Sequence, residues 1–84
     1  VINTTVTQPT EPSYLTVFPD DLCSIPLASN LNYLPGQTVP NLVIVRLSIM
    51  QGCANAAGAI DFYNSAGTVH VIADVFGYFT AAAI

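Results

Sequence analysis

The chain has 84 residues, of which 52% are hydrophobic and only 7% are charged, with one Lys or Arg against five Asp or Glu. This length supports a single domain, residues 1–84, whose modest core buries roughly 60–65% of the surface of the unfolded chain. One basic side chain argues against nucleic acid and anionic membrane surfaces as partners, because both require a basic footprint. We also expect no membrane insertion, because no apolar run reaches the about 20 residues of a spanning helix.

Neutral polar residues replace the missing charges: the chain has eight Thr, six Asn, five Ser and three Gln. Intracellular domains generally stay soluble through surface charge. The composition therefore predicts an extracellular or cell-surface protein, or one whose surface is largely covered by neighbours. The first residues lack the basic start and apolar centre of a signal peptide, so we expect a mature form or an excised module.

Short β-branched and aromatic runs, separated by Pro, Gly and Asn turns, predict strands throughout, and no helical periodicity is convincing. Their number and spacing predict an all-β fold, a small antiparallel β-sandwich or barrel-like domain of about six strands. In chain order, the expected strands are residues 1–7, 14–18, 29–34, 38–48, 59–63 and 67–80.

Two of these strands carry specific expectations about burial. The run from Leu42 to Leu47 is nearly all apolar and predicts a strand buried on both faces, although Pro40 excludes its first part from a central position. The last run is the longest, and it is predicted to be the centre of the fold, joined to the preceding strand by a four-residue hairpin at 64–67. Its core-facing residues share one parity: Val69, Val71, Ala73 and Val75.

Cys23 and Cys53 both lie in loop-like stretches, which predicts one disulfide. The loop it closes would contribute about 3–4 kcal/mol of stability, and the bond implies an oxidising compartment. Two buried free thiols are the alternative. No metal site is expected, because neither Cys has a second Cys or a His at ligand spacing.

His70 and Asp74 share a face of the last strand, but they lie about 13 Å apart along it, which is too far for a catalytic hydrogen bond. No nucleophile motif accompanies them, so we expect no enzyme, no catalytic residue and no cofactor. Asp20 and Asp21 lack an Asp-rich calcium loop, and they are interpreted as a solvated turn.

Arg46 interrupts an apolar strand and needs an acceptor if it is partly buried. Asp74 is the predicted partner in a structural ion pair, and Asp61 is the alternative. Loss of Arg46 is then expected to destabilise the fold and not to alter binding.

The tyrosines provide the one binding hypothesis. An exposed aromatic platform would stack on sugars, although the chain has no Trp. Tyrosines that fill a half-buried β face, with their hydroxyls at its rim, are the alternative. The candidate aromatics are Tyr14, Tyr33, Tyr63 and Tyr78.

Six segments carry a family resemblance, and the last one, from His70 to Phe79, is the most distinctive. The chain resembles a β-rich repeat module of actinobacterial-type secreted and cell-surface proteins. That resemblance implies an accessory domain without catalytic residues. The stretch from Ile49 to Gly58 departs from the pattern, so the cysteine pair is not part of it. The matching segments are residues 3–7, 14–19, 28–33, 36–41, 62–67 and 70–79.

Together these features predict a non-enzymatic structural module of the cell exterior, which self-associates or packs on like modules as a filament, sheath or surface-array subunit. We expect the chain to form a homo-oligomer or polymer, because uncharged strands at a sheet edge do little to prevent pairing with another chain. The alternative is an accessory module of a larger secreted protein that binds carbohydrate or a surface partner. Assembly contacts are predicted at the nonpolar chain ends: Val1, Ile2, Ala81, Ala82, Ala83 and Ile84.

Overall fold

A computed structural model describes residues 1–80 and contains two antiparallel three-stranded sheets, with no helix in that range. This architecture confirms the prediction of a small all-β sandwich of six strands. The strands are β1 (Ile2–Thr7), β2 (Ser13–Pro19), β3 (Leu31–Tyr33), β4 (Val39–Val43), β5 (Ile60–Asn64) and β6 (His70–Val75).

The first sheet has the strand order β4-β1-β6, and the second has the order β3-β2-β5. The centre of each sheet is therefore an early strand, β1 or β2, which pairs antiparallel with a neighbour on both sides. Ile2 lies opposite Val43 on β4 and Val75 on β6. Leu15 lies opposite Leu31 on β3 and Asn64 on β5.

The core lies between the two central strands. Successive side chains of a strand point to opposite faces, so alternate residues of β1 enter the core, and Val6 is fully buried. Leu15 of β2 is 1% exposed. Burial of such a side chain contributes about 1.5–3 kcal/mol. The core cluster consists of Ile2, Val6, Leu15, Val17, Leu31, Tyr33 and Val43.

The sandwich is closed along only one side. There β3 and β4 contact each other, and the Asn41 side-chain amide donates a hydrogen bond to the Asn30 carbonyl at 2.7 Å. On the other side β5 and β6 are the edge strands of their sheets, and they make no comparable contact. The sheets therefore diverge towards β5 and β6, and we call this the open side.

The predicted hairpin at 64–67 is wrong, because β5 and β6 belong to different sheets. The connection crosses from the second sheet to the first, where β6 pairs with β1. Gly67 permits the crossing: it has φ of +66°, and a Cβ there would lie 2.5 Å from the Thr10 hydroxyl oxygen. That hydroxyl accepts a hydrogen bond from the Thr68 amide at 2.9 Å, which fixes the start of the last segment.

The fourth strand is shorter and more exposed than the sequence predicts. β4 ends at Val43, because its only neighbour within the first sheet, β1, begins at the opposing Ile2. Leu42 is 54% exposed and Ile44 is 72% exposed, so the expectation of burial on both faces is wrong. Pro40 does lie on an edge strand, as expected.

The last strand is an edge strand and not the centre of the fold, and every residue of β6 is exposed. Its parity is nevertheless as predicted. Val71 and Val75 lie opposite Val6 and Ile2, so they point towards the interior of the sandwich. They stay exposed because the second sheet does not reach over β6.

Candidate functional site

The open side contains an apolar groove with a volume of 760 Å³. Its walls come from the start of β1, the segment after β4, the start of β5 and the end of β6. The side chains that give it its apolar character are Ile44, Leu47, Ile60, Val75, Tyr78 and Phe79. We call this cavity the open groove.

Large apolar side chains at the rim of the open groove are exposed to solvent. Val75 is 75% exposed, and Tyr78 and Phe79 are each 81% exposed. Soluble monomers rarely expose contiguous apolar patches larger than a few hundred Å², and larger patches mark interaction sites. The groove and β6 form one continuous exposed surface with apolar side chains, because Val75 belongs to both.

The edge of β6 also presents unused backbone groups. The Phe76 amide donates to the Val1 carbonyl at 2.9 Å, so the even-numbered residues of β6 bond to β1. Backbone groups alternate in direction along a strand, so those of Val71, Ala73 and Val75 point outwards. No hydrogen bond within residues 1–80 uses them. No Pro or Lys interrupts this edge, although natural proteins use such residues to block strand pairing.

No family model matches the chain, and no curated protein or solved structure matches it significantly. The resemblance to actinobacterial-type surface modules therefore stays a prediction, and the surface is interpreted from its own geometry.

The disulfide between Cys23 and Cys53 is present, with the two Cα atoms 5.0 Å apart. It confirms the predicted pairing and excludes free thiols. The bond ties the loop after β2 to the loop before β5. A disulfide is typical of an oxidising compartment.

Arg46 pairs with Asp21, so the predicted pair with Asp74 is wrong, and so is the alternative with Asp61. The guanidinium donates two hydrogen bonds to the Asp21 carboxylate, at 2.7 and 2.6 Å. The chain leaves the first sheet after Val43, and Arg46 therefore reaches the end of β2. Arg46 and the Ile49 amide, 3.0 Å from the carboxylate, hold the pKa of Asp21 at about 2.

Asp20 also departs from the predicted solvated turn, because Asp20 and Asp21 are both buried. The Asp20 carboxylate accepts hydrogen bonds from the Asn55 and Ala56 amides at 2.7 and 3.0 Å, which lower its pKa. Burial and the neighbouring Asp20 raise the pKa of Asp61. The available sequence signal was the pair of adjacent carboxylates that directly follows the second predicted strand.

The tyrosines do not form one platform. Tyr33 is 3% exposed in the core, where its hydroxyl donates to the Asn64 side chain at 2.7 Å. Tyr14 and Tyr63 make an edge-to-face pair, 6.2 Å between ring centroids, on the outer face of the second sheet. Tyr78 lies at the open groove. Burial removes Tyr33 from the predicted binding aromatics because it shares the inward face with Leu31.

The predicted assembly contacts at the chain start, Val1 and Ile2, are held by the fold. Ile2 is buried in the core, and the Val1 ammonium group donates to the Gly77 carbonyl at 2.7 Å. Ile2 begins β1 and Val1 directly precedes it, and both residues also line the open groove. The other predicted contacts lie outside the described residues: Ala81, Ala82, Ala83 and Ile84.

Two kinds of feature are absent from residues 1–80. In this range no helix has the length and apolar character needed to cross a membrane. Nor do three His, Cys, Asp or Glu side chains gather there in an arrangement that could hold a metal ion.

Proposed function

We propose that this protein is a non-enzymatic structural module of the cell exterior, which assembles with copies of itself or like modules through the open side. One observation carries the proposal. Within residues 1–80 no strand pairs with the outer edge of β6, which presents backbone groups and inward-facing apolar side chains that continue into the open groove. Exposed sheet edges pair with added strands through main-chain hydrogen bonds.

The exposed surface area is larger than expected for a monomer of this size, which supports a state in which like subunits cover part of it. The chain exposes 5427 Å², whereas a folded monomer of 8.8 kDa exposes about 4,800 Å². The excess of roughly 600 Å² approaches the about 800 Å² that each partner contributes to a standard interface. The radius of gyration is 13.8 Å, against about 12 Å for a compact domain of this length.

The buried carboxylates support a structural role. Asp20 and Asp21 are the acidic residues that the fold buries within residues 1–80. Both are occupied by hydrogen bonds that fasten the loop before β5 to the end of β2. Together with the disulfide, they hold the two loops in a fixed position, as expected of an extracellular domain with few charges.

Sedimentation velocity over a range of concentrations, with negative-stain microscopy, tests the proposal. We expect the parent protein to associate and the Val75→Lys variant to remain monomeric, because the ammonium group would be buried at the open side. Leu27→Lys is the matched control: Leu27 is fully exposed on the loop between β2 and β3 and should tolerate the same change. A parent protein that is monomeric at every concentration would contradict the proposal, as would equal association of both variants.

A second candidate is a binding module for glycan or a surface partner. The Tyr14–Tyr63 pair supports it, because Tyr14 also borders a 240 Å³ depression lined by Leu27, Ala28 and Ser29. A glycan-array signal that Tyr63→Ala removes and Tyr78→Ala retains would favour this function. Equal signals from the two variants would count against it.

A further inference from the structure

We propose that a second copy of this chain pairs antiparallel with β6 in one register, centred on Ile72, so that His70 of each copy lies opposite Asp74 of the partner subunit. The inference rests on the proposed function, and it adds the occupant of the β6 edge and the pairs that select its register.

The backbone directions at β6 restrict how a second copy can pair. Val71, Ala73 and Val75 point their amides and carbonyls away from β1, so these residues must form the hydrogen-bonded pairs with an added strand. Two identical strands related by a twofold axis perpendicular to the sheet run antiparallel. In the Ile72-centred register, Val71 of each copy faces Ala73 of the partner subunit in such a pair, and no backbone group of the fold has to move.

Side-chain chemistry then distinguishes this register from its neighbours. A register centred on Val71 places His70 against Ile72, and one centred on Ala73 places Asp74 against Ile72. Registers centred on His70 or Asp74 bring identical ionisable groups together, and like charges directly opposite are destabilising. The Ile72-centred register forms two His–Asp pairs and one Ile–Ile pair on the outer face, where all three residues are exposed.

The same register makes the inward face continuous. Val69 faces Val75 of the partner subunit, and Val71 faces Ala73, so apolar side chains oppose each other beside the open groove. Antiparallel pairing about this axis brings the two open sides together, because β5 and β6 border the same side of the sandwich. Pairing therefore covers the surface that the isolated sandwich leaves exposed.

Asp74 is available for this role because the fold does not use it. The single arginine is paired with Asp21, and no hydrogen bond within residues 1–80 involves the side chain of His70 or Asp74. Each residue can therefore be exchanged without removing an interaction of the folded subunit.

A charge exchange tests the register by sedimentation equilibrium. His70→Asp alone and Asp74→His alone should each weaken dimerisation by about tenfold or more, because two like pairs replace two opposite pairs. The double exchange, and an equimolar mixture of the two single variants, should recover affinity close to that of the parent. Circular dichroism checks that each variant folds.

The outcomes separate this inference from the proposed function. A parent protein without self-association would overturn both. Association of the parent that the single exchanges do not weaken, or that the mixture does not recover, would overturn the register and leave the proposed function standing.

Cross-linking provides a second, independent readout. Opposing Ile72 residues form a non-hydrogen-bonded pair with Cα atoms about 4.5 Å apart, within the range of a disulfide. Ala73 residues are diagonal neighbours about 7–8 Å apart, which is outside it. The Ile72→Cys variant should therefore oxidise to a dimer linked through position 72, while Ala73→Cys should not. The reverse preference would contradict the register.

Discussion

Arg46 illustrates how one residue organises a loop in a chain with so few charges. Its two hydrogen bonds to Asp21 anchor the segment after β4 to the end of β2, where the Ile49 amide bonds to the same carboxylate. The sequence correctly indicated that this cation pairs with a carboxylate. It could not indicate which one, because the partner depends on where the chain turns after the unpaired end of β4.

Arg46→Ala is expected to lower the melting temperature, because it leaves the buried Asp21 carboxylate without its cation. Asp74→Asn is the control, and it should melt like the parent protein, since Asp74 is exposed and takes part in no ion pair within residues 1–80. Circular dichroism at low protein concentration measures the subunit alone. The predicted Arg46–Asp74 pair would regain support if both variants were destabilised equally.

The aspartates predict opposite pH effects. Asp21 has a pKa of about 2 in the fold, below the about 3.9 of an unfolded Asp, so its contribution is present above the unfolded value and is lost as pH falls towards 2. Asp61 has a raised pKa, so its contribution is present at low pH and is lost as pH rises through the folded value. Urea unfolding at a series of pH values should therefore show two limbs in the free energy of unfolding. It should fall at low pH because of Asp21 (the acid limb) and fall as pH rises because of Asp61 (the higher-pH limb).

Asp61→Asn should remove the decline in the free energy of unfolding on the higher-pH limb. Asp21→Asn should keep that decline and weaken the acid limb without abolishing it, because the pKa of Asp20 is lowered as well. A parent-like pH profile in both variants would contradict these assignments.

Thr4 has a buried hydroxyl with no hydrogen-bond partner among the described residues. Thr4→Val keeps the shape and removes the unsatisfied group, so the free energy of unfolding should rise by about 1 kcal/mol. Thr16→Val is the matched control, because the buried Thr16 hydroxyl donates to the Ala28 carbonyl at 2.5 Å. Thr16→Val should therefore lower the free energy of unfolding by about 1 kcal/mol. Equal effects of the two changes in urea titrations would be inconsistent with this difference.

At the scale of elements, local patterns located all six strands, and β1, β2 and β5 lie within a residue or two of the predicted bounds. Local patterns did not determine burial. The apolar run from Leu42 to Leu47 has the composition of a buried strand, but burial depends on whether another strand lies beside it and another sheet lies over it. Both conditions depend on residues that are distant in the sequence. β4 and β6 are edge strands with too little cover from the other sheet, so neither is buried.

Truncation of one leucine in each type of strand measures this difference. Leu15→Ala on the central β2 should cost about 2–5 kcal/mol, as truncations in a packed core do. Leu42→Ala on the edge strand β4 should cost under about 0.5 kcal/mol, as exposed positions do. Denaturant unfolding of both variants is the measurement. A cost at Leu42 comparable to that at Leu15 would restore the predicted burial on both faces.

At the scale of the whole molecule, low charge and high apolar content agree with a sandwich that is closed along β3 and β4 and open along β5 and β6. The composition predicted an extracellular or cell-surface protein, or one whose surface is largely covered by neighbours, and the nonpolar chain ends predicted the assembly contacts. We propose a different location for these contacts, because Ile2 is buried in the core and every residue of β6 is exposed. Only the pairing of the strands shows that β6 is an edge strand, with β1 as its neighbour within residues 1–80.

The central claim is that the free edge of β6 mediates association, and Ala73→Pro tests it most directly. Proline removes an amide that points away from β1, so the fold keeps its own hydrogen bonds while an added strand loses one. In sedimentation velocity we expect concentration-dependent association of the parent protein, and a folded monomer for Ala73→Pro at every concentration. A folded Ala73→Pro variant that associates as strongly as the parent would contradict the claim.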